Sequence, residues 1–454
     1  MDDPNDSVGN CERSLGQMSF LPPVNFIPRF RPITRNPEHE RIWKQGDAVI
    51  ESFQRMVTKY DESADRRLEN FRANHVKFTI DELTRNEATL NHLVSNLLPM
   101  LRSQIIRLLK SLNPFGLQQE PESKIRLISQ NRLNVEKTID ILRAWIVKVC
   151  PGRLVKPYPS SDHHYKRSKS FRLFTLKKYI FEASLDIGRS CRVASELLHH
   201  AKCSADAHSQ QTKKTYYQGL LAAKRAVGSI HAAIECIKGS ELDVAEKIWQ
   251  SRLTGIDYSM RIIMCLITPA TNSSRRRKKF GDESVIHLSK SAITWIKVHK
   301  LFFVKFFSKR GAIRRNLPCF TELCSDQILS IVRSIEDVAE DLNGLVERLK
   351  EADRIGDYII NDSLRSSAAA LKARFDAPMV LLLLYLIPLI PDIATQNDYR
   401  DWLLTWNTQR NLACENYIDI SRSLIDRESD GHESDDHESD SYHSSDSYES
   451  DYRF

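Results

Sequence analysis

The stretch SVIHLSKSAITWIKVHKLFFVKFFSKR, residues 284–310, decides the fold, because it is the segment of the chain richest in aromatic residues. Wound as an α-helix at about 100° per residue, it places its apolar side chains on one wide face. The members of this face are Val285, Leu288, Ala292, Trp295, Ile296, Phe302, Phe303 and Phe306. Leu301 and Val304 lie outside the face, so the C-terminal half is apolar over much of its circumference. We therefore predict an inner helix of a bundle, with neighbours on more than one side and its lysines reaching outwards.

A basic and aromatic helix also suits two other settings, a membrane surface and the groove of a calmodulin-like partner. The apolar arc of residues 284–310 is wide and not a narrow stripe, which favours the bundle interior. His299 lies in the middle of this arc. We interpret it as a buried histidine with a local hydrogen-bond partner and not as a ligand.

The composition favours a helical protein without a catalytic signature. The chain has 454 residues, which suffices for two or three domains. Only 15 of them are glycine, so long helices are favoured over a turn-rich β architecture. The patterns GxxxxGK[ST], GxGxxG and GxSxG do not occur. We predict an all-α fold, with multi-helix bundles of long antiparallel helices, a disordered N-terminus and an acidic C-terminal tail, and we predict neither enzyme activity nor a cofactor.

Loop residues and changes in composition divide the chain into parts. The predicted parts are a disordered segment (1–36), N-terminal helices (37–150), a linker (151–168), middle helices packing with the N-terminal helices (169–266), a basic linker (267–283), a C-terminal helical bundle (284–426) and a disordered acidic Ser/Asp/His-rich tail (427–454). Ser240 is predicted to cap the helix that begins at Glu241. Pro99 is predicted to kink a helix over residues 80–111.

The run APMVLLLLYLIPLIP, residues 377–391, is the most apolar segment of the chain. It contains three prolines and is shorter than the roughly 20 apolar residues that a membrane-spanning helix needs. We therefore predict a buried core helix here and no transmembrane segment.

The charge of the chain is divided unevenly. The whole chain carries +7, but residues 428–454 hold ten acidic residues and one basic residue, which leaves +16 on the rest. A body this basic is suited to nucleic acid, acidic lipid or an acidic protein, and equally to its own acidic tail.

The strongest short signal is the basic cluster Arg275, Arg276, Arg277, Lys278 and Lys279. Five consecutive cations in a polar loop match a nuclear-import sequence or a patch that contacts phosphates. The alternative is a solvated run of charge that meets the acidic tail. The nine cysteines are scattered without a CxxC pair, which fits a reducing compartment, so we predict a cytoplasmic and/or nuclear protein.

Two histidine-containing segments resemble metal sites in their composition. The tail contains HESDDH, residues 432–437, but its histidines are five positions apart, whereas HExxH needs them four apart. The cluster His199, His200, Cys203 and His208 has better spacing, yet it lacks a second ligand pair and fits an ordinary helix C-terminus. We predict no metal site.

Three segments carry a family resemblance: TWIKVHKLFFVKF (294–306), LLYLIPLIPD (383–392) and DWLLTWNTQRNLA (401–413). Together they resemble an expanded family of uncharacterised fungal helical proteins, over about two-thirds of the chain. The order of helices is more distantly similar to that of the cyclin-D-interacting helical-bundle family. The second resemblance implies an N-terminal and a C-terminal bundle and a role in protein binding.

These observations lead to two hypotheses about function. The first is a non-enzymatic helical interaction or scaffold protein that binds partner proteins and serves in regulation. The second is nucleic-acid or acidic-membrane binding by the basic body, with autoinhibition by the acidic tail. The identity of the partner stays open in both.

Overall fold

The computed structural model describes residues 37–60, 78–150, 161–203, 210–268, 280–307, 318–355 and 358–429. Within these ranges the chain is built from helices and contains no β-strand, which confirms the all-α prediction. The predicted disorder of residues 1–36 lies outside the described residues, and so does that of the tail from residue 430 onwards.

The first bundle is formed by the N-terminal half of the chain. Its helices are α1 (Pro37–Lys59), α2 (Ile80–His92), α3 (Leu98–Ser111), α4 (Pro114–Gln119), α5 (Pro121–Val149), α6 (Ser170–Cys203) and α7 (Gln210–Lys238). Helix α6 packs against α7 and α1, and α3 packs against α5 and α7. Because α1 also packs against α5, these five long helices close into a ring around one core.

Proline widens a helical turn at two places in the chain. A π-helical turn, Leu93–Leu97, joins α2 to α3 and ends two residues before Pro99. A second π-helical turn, Leu382–Leu386, ends two residues before Pro388. A proline ring would clash with the carbonyl four residues earlier, and that carbonyl lies inside the π-helical turn in both cases. The distortion expected at Pro99 is therefore present as one wide turn.

The second bundle is formed by the C-terminal half. Its helices are α8 (Glu241–Ile267), α9 (Glu283–Phe307), α10 (Ser325–Ile355), α11 (Tyr358–Ala373), α12 (Asp376–Leu381) and α13 (Ile393–Ser429). Helix α8 packs against α10 and α9, while α13 packs against α9 and α11. The residues between α12 and α13 form the second π-helical turn and a 3-10 turn, Ile387–Leu389.

The position of α8 differs from the sequence-based expectation. The sequence groups it with the middle helices (169–266), but its main neighbours are α10 and α9 of the second bundle. The bundles thus meet at Gly239 and Ser240 and not in the basic linker (267–283). Ser240 caps α8 as predicted, in a reciprocal capping box with Asp243. A cap fixes where a helix begins but not which neighbours it packs against, so the short turn was a poor guide to the domain boundary.

Helix α9 is enclosed by its own chain, as predicted. All eight members of its predicted apolar face are buried, and Trp295 and Phe303 are no more than 1% exposed. The indole nitrogen of Trp406, on α13, donates to the carbonyl oxygen of Val298 at 2.7 Å and joins the two helices. Leu301 and Val304 are exposed, so the C-terminal half of α9 has a free apolar side that the prediction of surrounding neighbours did not allow for.

Candidate functional site

The junction between the two bundles is organised around the buried carboxylate of Asp162. One oxygen accepts a hydrogen bond from the backbone nitrogen of Ser325 at 2.8 Å. The other accepts from the Ser325 hydroxyl at 2.7 Å and from the backbone nitrogen of Ser170 at 2.6 Å. Ser170 begins α6 and Ser325 begins α10, so one carboxylate bonds to the first residue of a helix in each bundle. Asp162 lies in the segment predicted as a linker, where no buried group was expected.

A buried ion pair extends this network. The Lys169 ammonium lies 2.5 Å from Oε1 of Glu241, and both side chains are at most 2% exposed. The same ammonium donates to the carbonyl oxygens of Thr321 and Leu323, each at 2.7 Å. Oε2 of Glu241 accepts from the Thr321 backbone nitrogen at 3.1 Å. The ammonium thus makes two hydrogen bonds and one ionic contact, while Oε1 of Glu241 accepts no hydrogen bond from the described residues, so the charge of Lys169 is the compensation for this buried oxygen.

Arg172, on α6, bonds to the end of α7 beside the junction. Its guanidinium donates to the carbonyl oxygens of Cys236 and Gly239 and lies over the ring of Phe320, 5.5 Å from the ring centre. Burial lowers the pKa of this guanidinium below its ordinary value. A cavity of about 10 Å³ beside Glu241 holds about one water molecule, far less than a small-molecule site needs. The junction therefore fixes the two bundles to each other and does not offer a substrate pocket.

One side of the run 377–391 forms an exposed surface that we call the apolar ridge. Its members and their exposed fractions are Val380 52%, Leu383 36% and Leu384 64%. The opposite side of the run is buried, with Leu382, Leu386 and Ile387 fully enclosed, so the predicted core helix buries only one of its sides. In the part of the chain that the structure describes, no helix is long and apolar enough to cross a membrane.

Acidic residues bound the ridge at both ends, and ion pairs fasten the helix before it to α10. Asp376 and Asp392 flank it, are exposed, and enclose a run of 15 residues without a charge. Arg374, next to Asp376, bonds to Asp341 at 3.0 Å and to Asp337 at 3.2 Å, which fastens the start of α12 to α10. Rigid apolar surface with a polar rim is the usual layout of a protein-binding site.

The outer side of α7 forms a second surface, which we call the basic face. Its cations are Lys213, Lys214, Lys224 and Arg225, all exposed. Arg225 bonds to the buried Asp186 at 3.0 Å, whereas the three lysines form no ion pair with any described residue. Glu235 is the single acidic residue of α7.

Apolar residues lie within the basic face, and further basic residues lie beside it on α3. Tyr217 is 57% exposed and Leu221 is 40% exposed, and both lie between the two pairs of cations. Helix α3, which packs beside α7, presents Arg107 and Lys110 to solvent. Because the sequence has no acidic residue between 88 and 119, α3 adds positive charge without compensation.

The predicted site residues fall mostly outside these surfaces. The cluster Arg275, Arg276, Arg277, Lys278 and Lys279 lies outside the described residues, as does the HESDDH segment of the tail. The chain on either side of the cluster is described, and Phe280 donates to the Leu266 carbonyl oxygen at 3.3 Å. The described residues that flank the segment 269–279 therefore lie at the same end of the second bundle.

The predicted histidine cluster lies only partly within the described residues. His199 and His200 lie in the last turns of α6, as predicted, while His208 lies outside the described residues. Over the ranges that the structure covers, no group of three or more His, Cys, Asp or Glu residues is arranged to hold a metal ion.

Comparison with known families follows the division into two bundles. Residues 86–238 match the model of a domain of unknown function (DUF8723), and residues 240–419 match a second domain of unknown function (DUF8721). No curated protein and no solved structure matches the chain. The two matches meet at Gly239, where the structure also places the boundary between the bundles. The chain is thus similar to one family in each bundle, and neither match carries an activity.

Sequence reasoning missed both surfaces, although a signal for one was present. Between 86 and 238 the chain has 25 basic and 11 acidic residues, whereas between 240 and 419 it has 25 basic and 23 acidic residues. Counting charge for each bundle would have placed the excess on the first bundle. The apolar ridge had no such signal, because a run of apolar residues does not reveal which side is covered.

Proposed function

We propose that the chain is a non-enzymatic helical interaction protein that binds partner proteins through the apolar ridge. The observation that supports this is a run of 15 uncharged residues whose outer side stays exposed, with Val380 52% and Leu384 64% exposed. Exposed apolar surface of this kind marks interaction sites more often than a plain solvent-facing helix. The ridge needs no rearrangement before binding, because its inner side is packed in the core.

The charges beside the ridge indicate the chemistry of the partner. Asp376 and Asp392 stand at its two ends, and the side chain of Asp376 is 67% exposed. A partner segment that presents an apolar face flanked by lysine or arginine satisfies both the apolar centre and the acidic rim. We infer an amphipathic basic helix or strand of another protein as the occupant.

A matched pair of variants tests this proposal. Val380→Asp with Leu384→Asp places charge on the ridge, and Leu133→Asp with Ile141→Asp places the same charge on α5, where both residues are exposed to a similar extent. Partners captured by the tagged full chain are identified, purified and titrated against each protein. We expect binding to weaken by at least about tenfold for the ridge variant only.

Two results would show that the ridge does not bind a partner protein. One is equal affinity of the ridge variant and the unmodified chain for every purified partner. The other is a ridge-dependent dimer in light scattering, which would make a second copy of the chain the occupant.

The second candidate function is binding of nucleic acid or of an acidic membrane by the basic body. The basic face of α7 supports it, because three of its four cations have no acidic partner among the described residues. Four phosphate contacts would weaken binding to DNA or RNA by about 100-fold between about 50 and 200 mM salt. Substituting the four cations with glutamine should remove that salt dependence, and an unchanged slope would rule out the basic face.

The cellular location belongs to the same set of proposals. We propose a cytoplasmic and/or nuclear protein, with Arg275, Arg276, Arg277, Lys278 and Lys279 as the import signal. A fluorescent fusion in which these five residues are alanine should lose its nuclear share. An unchanged distribution would leave the cluster as a solvated run of charge.

A further inference from the structure

We propose that the acidic segment 430–454 binds the basic face of α7 in the same chain and covers it. This inference deepens the second candidate function by naming what occupies the basic face when no nucleic acid or membrane is present. It does not depend on the apolar ridge. Three lines of argument support it: charge, reach and local concentration.

The charges of the two surfaces are complementary. Residues 428–454 carry ten acidic residues and one basic residue, while Lys213, Lys214 and Lys224 have no ionic partner in the described part of the chain. Tyr217 and Leu221 provide apolar surface between the cations. The acidic segment contains three tyrosines among its acids, at 442, 448 and 452, so it can satisfy both the cations and the apolar centre.

The acidic segment begins at the end of the second bundle that lies away from the junction. Helix α13 runs antiparallel to α9, with the Trp406 ring tilted against Phe302 and the Tyr417 ring stacked on Trp295, at centroid distances of 4.6 and 5.3 Å. Continuing that register brings Ser429 close to the start of α9, beside the end of α8. The segment must therefore travel back along α8 and past the junction to reach α7.

The length of the segment allows this path. Helix α8 has 27 residues and is about 40 Å long, and Lys224 lies about 20 Å beyond the junction along α7. The path along the helices is thus about 60 Å to Lys224 and about 80 Å to Lys213. The 25 residues of 430–454 span about 85 Å when extended, so the acids at 446, 449 and 451 can reach Lys224 and Arg225.

Attachment to the same chain favours this contact over contact with a free polyanion. A flexible chain of 25 residues has a root-mean-square length of roughly 25–30 Å, which is shorter than the path of about 60 Å, so the segment acts at an effective concentration below the millimolar maximum. Contacts between exposed charges are individually weak, but several of them formed together by a tethered segment favour it over a polyanion that is free in solution. A polyanion from solution must then displace the segment before it can bind.

The test detects contact within one full-length chain. Protein of natural isotope content is mixed with an equal amount of 15N-labelled protein at about 50 mM salt, where screening is weak. A carbodiimide then couples carboxylates to lysine amines, and mass spectrometry identifies the linked peptides. We expect links from 430–454 to Lys224 that carry a single isotope, because Lys224 is the lysine of the basic face that the acids at 446, 449 and 451 reach. Links of mixed isotope would assign the segment to a second copy, and links confined to Lys278 and Lys279 would assign it to the basic cluster; either result overturns the proposal.

A second measurement uses charge variants with a matched control. Lys213, Lys214, Lys224 and Arg225 are changed to glutamine in one full-length protein, and the exposed Lys290 and Lys297 of α9 are changed to glutamine in another. The segment 430–454 is then cleaved with a protease specific for acidic residues. We expect several-fold faster cleavage in the first variant and the rate of the unmodified chain in the second. Equal rates in all three proteins would show that α7 does not hold the segment, whether or not the face binds nucleic acid.

Discussion

His299 should make the second bundle sensitive to acid. The ring is fully buried, and its Nδ1 lies 2.7 Å from the carbonyl oxygen of Trp295, to which it donates in the neutral form. Phe375 packs on it at 4.8 Å between ring centres. Burial lowers the pKa of His299 to about 4; the bond to the Trp295 carbonyl opposes this, and the nearby Arg410 adds to the lowering. Folding therefore keeps the imidazole neutral over a range in which the unfolded chain protonates it.

The magnitude follows from the difference between the two pKa values. An unfolded histidine has a pKa near 6.5. Below that pH the His299 imidazole therefore binds a proton in the unfolded state but not in the native state. The free energy of unfolding must then fall as the pH falls from about 6.5 towards 4. At about 1.36 kcal/mol for each pH unit, the loss is about 2 kcal/mol at pH 5 and approaches about 3 kcal/mol near pH 4.

The assay compares three proteins at two pH values. Unfolding by guanidinium is followed by tryptophan fluorescence at about pH 7 and pH 5 for the unmodified chain, His299→Gln and His287→Gln. His287 lies on the same helix but is exposed, so its variant controls for the loss of a histidine. We expect the drop in unfolding free energy between the two pH values to shrink by about 2 kcal/mol in His299→Gln only. An equal drop in all three proteins would refute the reasoning, whatever the absolute stability of the variants.

Three further predictions concern stability. Lys169→Met leaves Glu241 buried without its cation and should lower the unfolding free energy by about 3–5 kcal/mol; a loss below about 1 kcal/mol would contradict the importance of the ion pair. Ser240→Ala removes the cap of α8 and should cost about 1 kcal/mol, measured by the same denaturation assay. Gly228→Ala should raise the free energy of unfolding by about 0.5–1 kcal/mol, because nothing lies within 4 Å of the new Cβ. Gly46→Ala should lower it, because the new Cβ would lie 2.7 Å from the Trp43 ring. A change of the same sign in both variants would contradict this reasoning.

The elements that were predictable are those that depend on local periodicity. The buried face of α9 follows from a 3.6-residue repeat of large apolar side chains, and it was predicted residue by residue. The burial of His299 and the cap at Ser240 follow from equally local rules. Each of these features is determined by residues of a single helix and its cap.

The features that were missed depend on contacts between distant parts of the chain. Asp162 and Ser325 are separated by 163 positions, and no local pattern links them. The exposure of Leu384 depends on no described helix packing against that side of the run, which hydropathy alone does not encode. The assignment of α8 to the second bundle likewise depends on its fit to α9 and α10 and not on its own residues.

The closed junction has a mechanical consequence. Lys169 and Asp162 of the first bundle bond to the backbone of residues 321, 323 and 325 in the second, and these bonds oppose bending of the chain at Gly239. We therefore expect the apolar ridge and the basic face to keep a fixed distance and orientation. A partner bound to one of these surfaces then determines the direction in which the other surface faces.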